Sequence, residues 1–143
     1  MQLDGVDQRI IAALVTDART TYAEIGQEVS LSAPAVKRRV DRLRSHGVIK
    51  GFTAVVDPKA VGWKTEAFVE LYCTGRTTPA QIDVATRRHP EVIGAYTVSG
   101  EADALVHLRA ADIEHLEQVL ERLRAEPFIT STRSMIVLSR LGN

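Results

Sequence analysis

The chain has 143 residues and very little of several things. Cys73 is its only cysteine, so no internal disulfide can form. It lies in an alternating apolar segment and reads as a small buried residue. No apolar run approaches the roughly 20 residues needed to span a bilayer. The opening MQLDGVDQ is polar and acidic, unlike a secretory signal, and the expected location is the cytoplasm. Aromatics are scarce, with three Phe, three Tyr and one Trp. Net charge is absent too: 18 basic residues balance 18 acidic ones, so the chain as a whole offers polyanions no attraction. His46, His89, His107 and His115 show no metal-ligand spacing with one another or with Cys73. No glycine-rich phosphate loop is present, and Ser99-Gly100 lacks the flanking glycine of a nucleophile elbow. These absences argue against an enzyme and against a cofactor.

What is present is a local concentration of charge. Residues 37–50 hold six basic side chains and only Asp41 against them. Lys and Arg held along DNA release its condensed counterions, so a neutral protein binds where its cations cluster. The surrounding residues spell two short helices and a turn. Ala23, Ile25, Gly26 and Val29 give the first an apolar side, and Ser30-Leu31-Ser32 ends it. Ser32 is a good N-cap, Pro34 fits the first turn, and Gly47 is a natural stop. Val36, Val40 and Leu43 share one face of the second helix, which leaves its N-terminal turn and opposite face free for a major groove. Ser32, Ala33, Lys37 and Arg38 are expected nearest the bases, and Arg42 at phosphate. Arg39 lies beside the apolar stripe and suits a structural salt bridge at least as well as a DNA contact. His46, near the helix end, suits the dipole.

Residues 1–50 read as three helices, a winged or simple helix-turn-helix domain. The first starts at Asp4 or Asp7 and turns Val6, Ile10, Ile11, Leu14 and Val15 inward. Residues 51–63 read as a linker with a β-like run over 51–56. Residues 64–143 change character. Strands are predicted over 67–74, 92–99, 104–110 and 129–138, and helices over 79–89 and 113–124. In the last helix, Ile113, Leu116, Val119, Leu120 and Leu123 share a face, with His115 on the polar side. The order βαββαβ is ferredoxin-like, so the chain is α+β overall. Such a sheet has one open face, apolar here, which a second copy would cover. This half carries nine basic and eleven acidic residues and makes no electrostatic case for DNA.

The motifs fall in a familiar order. Leu3, Asp4, Asp7 and Ile10 open the chain, and Asp17-Ala18-Arg19 follows the first helix. The reader segment runs from Leu31 to Gly51. Asp57-Pro58 and Val61-Gly62 follow, then Pro90-Glu91-Val92, and last the Gly100 to Asp103 turn. Over nearly its whole length the chain resembles the Lrp/AsnC, or feast/famine, transcription regulators. The resemblance implies an N-terminal winged helix-turn-helix domain and a C-terminal regulator-of-amino-acid-metabolism domain. It also implies homodimers, often assembled into octamers, that bind double-stranded DNA and take amino-acid effectors at subunit interfaces. Carried onto this sequence, the effector pocket falls at Ser99, Gly100, Glu101, Asp103, Thr132 and Ser134. Asp103 or Glu101 could meet the ammonium of an amino acid, and backbone N–H groups or hydroxyls its carboxylate. Ala104 stands where many relatives have a bulkier residue, which suggests a roomier pocket and an aromatic effector. Two alternatives stay open: an architectural DNA-wrapping protein without effector, and an enzyme like the sirohaem decarboxylases, which Lrp-like chains also resemble.

Overall fold

Local sequence rules set the helix boundaries of the computed structural model, which describes residues 1–142. Asp4 caps α1 (Gly5–Thr16) in a reciprocal box with Asp7, each carboxylate accepting from the other's backbone N–H. Thr21 and Glu24 form the same device at α2 (Tyr22–Val29). Ser32 caps α3 (Ala33–Ser45), with Pro34 in its first turn. Thr78 and Gln81 cap α4 (Pro79–Arg87), and Asp112 caps α5 (Ile113–Arg124). Each cap answers amides that the helix cannot satisfy itself, and is worth about 1 kcal/mol.

The chain divides into two compact units, Met1–Val55 and a second beginning at Val56. The division falls inside the 51–63 segment expected to link the domains. In the first unit, Ile10, Leu14, Ile25, Val29, Val36 and Val40 form the core of a three-helix bundle. Val15 was expected inside as well, but it is 80% exposed. The α1 core stripe runs through Ile10 and Leu14, and Val15 falls just off it. The β-like run after α3 forms no strand, so no paired wing follows the reader helix among the described residues. Residues 51–57 find no ladder partner among the described residues, and Val55 is entirely exposed. Instead Pro58–Val61 makes a 3₁₀ turn started by Asp57 and closed by Gly62.

In the second unit, β1 (Thr65–Cys73), β2 (Val92–Thr97), β3 (Ala104–Ala110) and β4 (Ile129–Ile136) form one antiparallel sheet in the order β2-β3-β1-β4. With the two helices this is the ferredoxin-like βαββαβ arrangement. Alternation decides the faces. Ala67, Val69, Leu71, Ala104, Val106, Leu108 and Ala110 point to one side and form a core with Ile82, Leu116, Val119, Leu120 and Leu123. Ile113, expected on that helix face, is exposed at the first turn. The opposite sheet face carries Phe68, Tyr72, Leu105 and His107, with Tyr96 and Met135 half exposed. The His107 ring stacks flat on Phe68, 4.3 Å between centroids, and its Nε2 meets Glu66. Arg140 holds the same carboxylate at 2.9 Å.

Candidate DNA-reading helix and effector turn

The α2–α3 turn is built by close backbone approach. Ser30 takes the left-handed conformation (φ 60°) that ends α2, and the Leu31 N–H donates to the Gly26 carbonyl at 2.9 Å. A Cβ on Gly26 would sit 2.3 Å from the Leu31 carbonyl oxygen, so only glycine lets the chain turn here. The sequence placed Gly26 merely on the apolar side of α2. Its real task depends on a backbone atom five residues later, which periodicity does not reveal.

Within α3, Val36, Val40 and Leu43 are fully buried. The basic side chains then part company. Arg39 Nη1 lies 2.7 Å from Asp4 and 3.0 Å from Asp7, whose side chain is completely buried. Arg39 is therefore the structural salt bridge that its place beside the stripe suggested. The Asp4 carboxyl is held at about 2, by the hydrogen bond from Arg39 first and the Asp7 N–H second. Arg42, half exposed, also points an N–H₂ at Asp7, at 3.2 Å. Lys37 donates to Asp41 at 2.6 Å on the exposed side, and this contact raises the Lys37 pKa. Among the described residues Arg38 has no ion-pair or hydrogen-bond partner, and it is exposed. Ser32 is exposed with its hydroxyl accepting from the Ala35 N–H at 3.3 Å, and Ala33 is half buried. In the last turn of α3, Arg44 lies over the Phe52 ring at 5.7 Å, and at the C-cap His46 Nδ1 meets the Arg42 carbonyl at 2.9 Å. The arrangement leaves Arg38 without a partner on the side of α3 away from the buried stripe, with Lys37 exposed beside it, which suits a phosphate-lined groove.

The 98–103 turn joins β2 to β3. Gly100 has φ +124°, and a Cβ added there would meet nothing within 4 Å, so conformation rather than space calls for glycine. Ser99 and Glu101 are exposed, and neither has a side-chain partner among the described residues. Asp103 is different. Its carboxylate accepts from the Cys73 N–H at 2.7 Å, and its own N–H donates to the Leu71 carbonyl at 2.9 Å. Asp103 thus ties the turn to the end of β1. Cys73 is half-buried rather than buried, with its thiol pKa raised by burial and by Asp103. Across β1, Leu71 pairs with Ala104 on one side and Thr132 on the other. The turn and the Thr132–Ser134 pair therefore sit at one end of the sheet but two strand spacings apart, roughly 10 Å. Thr132 and Ser134 face the helix side, where Arg124 Nε donates to Thr132 Oγ1 at 2.9 Å. The Ala104 side chain is fully buried in the core. Its small size is taken up in core packing, so Ala104 gives no support for a bulky aromatic effector.

Residues 3–44 match the AsnC-type helix-turn-helix domain, and residues 66–142 the Lrp/AsnC ligand binding domain. The HTH-type transcriptional regulator Rv2324 of Mycobacterium tuberculosis is 54% identical over 140 residues, covering 98% of this chain and 95% of that protein. This chain belongs to the Lrp/AsnC family. Among solved structures, the feast or famine regulatory protein Rv3291c from M. tuberculosis, complexed with L-methionine, superposes with a TM-score of 0.92. It is 33% identical, covering 99% of this chain and 96% of that one. AsnC of E. coli gives a TM-score of 0.91 at 26% identity over 100% of this chain and 97% of its own. Like its Lrp/AsnC relatives, the protein is a DNA-binding transcription regulator with an amino-acid-binding type of domain, and not an enzyme. No helix of the described residues is long and apolar enough to cross a membrane.

One cluster in this Lrp/AsnC chain escaped the sequence reading. Glu91, 5% exposed, accepts from Arg122 at 2.5 Å and from His115 Nε2 at 3.0 Å. Burial pushes its carboxyl up, but those two hydrogen bonds outweigh it and hold the pKa at about 2. His115, expected on the polar side of α5, is half buried, stacks against Trp63, and accepts the Ala111 N–H at Nδ1. That bond leaves Nε2 as the protonated nitrogen facing Glu91. His89 is buried beside Arg122, and burial followed by that positive charge lowers its pKa. The cluster fastens α5 to the start of β2. Pro90-Glu91-Val92 was noted only as one motif of the resemblance, with no task given to Glu91.

Proposed function

We propose that this Lrp/AsnC regulator reads DNA with Ser32, Ala33, Lys37 and Arg38 at the base edges and Arg42 at phosphate. The observation that carries this reading is the unpaired, exposed Arg38 on the side of α3 away from its buried stripe. Arg42 keeps free N–H groups beyond its single contact with Asp7. Arg38→Ala should weaken binding to a selected duplex by about tenfold or more. An unchanged affinity at moderate salt would remove Arg38 from the interface.

The second unit takes an amino acid. Ser99, Gly100 and Glu101 on the turn, with Asp103 holding that turn, form one part of the site, and Thr132 with Ser134 the other. Glu101 supplies the carboxylate for the ammonium, because Asp103 already holds the Cys73 N–H. The bound L-methionine of the relative Rv3291c supports an amino-acid effector. The spacing of roughly 10 Å between the two clusters is too wide for one ammonium and its own carboxylate. A second copy of the chain therefore completes each site. The half-exposed Tyr96 and Met135 on the open sheet face support a homodimer through that face, with octamers built from dimers. The protein works where DNA is held, in the cytoplasm. Calorimetry with single amino acids tests the site: Glu101→Ala should abolish the binding that the native protein shows, and retained binding would contradict the assignment.

A further inference from the structure

Asp41 is the only acid on α3, and it lies on the exposed side of a helix that is otherwise cationic. With about 3.6 residues per turn, Lys37 and Asp41 stand one above the other, away from the Val36, Val40 and Leu43 stripe. Their ammonium and carboxylate are 2.6 Å apart, with side chains 62% and 51% exposed. Helix stability does not account for the pair. An exposed i,i+4 pair contributes little, and a cation N-terminal to its acid is the weaker order. Asp41 also costs affinity toward phosphates, since it cancels one charge of the reading face.

The major-groove edge of a G·C pair accounts for it. Guanine offers the acceptors O6 and N7, and cytosine offers its N4 amine as a donor beside O6. A donor and an acceptor held side by side match that edge: Lys37 for the guanine, Asp41 for the cytosine. We propose that Lys37 and Asp41 together read one G·C base pair in each half-site, with Asp41 accepting from the cytosine N4 amine. This rests on α3 being the base-reading helix, as proposed above. Asp41 then adds specificity at one base pair, beside the base-edge residues proposed above.

The test uses the full chain. Duplexes selected from a random pool by the native protein should contain one G·C pair per half-site whose identity is lost when selection is repeated with Asp41→Ala, the other positions being kept. Replacing that cytosine with pyrimidin-2-one, which lacks the N4 amine, should weaken the native protein about tenfold and leave Asp41→Ala unaffected. Asp41→Asn should move the preference toward A·T, because an amide pairs with adenine N6 and N7. The same selected site for native and Asp41→Ala proteins, or a uniform tightening on every duplex, would overturn the proposal and leave Asp41 as a mere neighbour of Lys37. Arg38→Ala on the same duplexes separates the two levels. If it does not weaken binding, the reader-helix assignment itself fails. If it does while Asp41→Ala keeps the native site, only the G·C reading fails.

Discussion

Arg39 on α3 reaches Asp7 on α1 across 3.0 Å, and the Asp7 side chain is wholly buried between them. The same carboxylate accepts the Asp4 N–H and the Arg42 guanidinium. One buried acid therefore caps the first helix and sets the reader helix against it. Asp7→Ala removes the anion, while Arg39 keeps Asp4 and the half-exposed Arg42 turns to water. It should destabilise the first unit by about 1–2 kcal/mol, the loss of hydrogen bonds to a charged group. Urea unfolding followed by far-UV circular dichroism measures this. A change near zero would show that Asp4 alone suffices.

Gly26→Ala places a methyl on a backbone oxygen, where no side-chain rearrangement relieves the clash. The turn must open and α3 must shift. A loss of about 1–3 kcal/mol in stability is expected, with a larger fractional loss of DNA affinity than the stability change alone explains. Equal DNA affinity in the folded variant would mean that the turn tolerates movement without disturbing the reader.

Acid should act on the second unit through Glu91. Its folded-state pKa is depressed from 4.5 to about 2, so the ionised form favours folding. That contribution is complete above about pH 4.5 and is lost as pH falls toward 2. Trp63 is the only tryptophan and stacks on His115 beside the cluster, so its fluorescence reports this region. The thermal midpoint read from Trp63 should fall across that window, and Glu91→Gln should lower it at neutral pH and flatten the acid dependence. An unaltered acid profile in Glu91→Gln would assign the effect elsewhere.

The open sheet face should govern assembly. Met135→Asp puts a charge beside Phe68, its ladder partner, on the face that farther across also carries Leu105 and Tyr96. Light scattering at micromolar concentration should give a dimer or larger for the native chain and a smaller species for the variant. A native monomer would remove this face as the interface.

Much of this was legible in the residues because local chemistry fixed it. Ser32, Pro34 and Gly47 bound the reader helix, and the Val36, Val40, Leu43 stripe oriented it. The strand β3 and the helix α5 fall where alternation and 3.6-residue spacing put them. What was hidden depends on distant partners. Residues 51–56 have strand-like composition, yet a strand needs a neighbour and the described residues supply none. Glu91 gains its meaning only when Arg122 and His115 arrive from α5. Asp103 has a second task that its sequence does not show, accepting the Cys73 N–H from the end of β1. Thr132 and Ser134 are ordinary strand positions except for their place at the end of the sheet that holds the 98–103 turn.

The most direct test of the central claim is a fluorescence-anisotropy titration against duplexes selected from a random pool, with and without a mixture of all twenty amino acids. Tight, salt-dependent binding whose affinity the mixture changes is the predicted result, and dividing the mixture would identify the effector. Binding indifferent to every amino acid would contradict the sensor and favour an architectural protein. No binding even at low salt would contradict the assignment of α3 as a DNA reader.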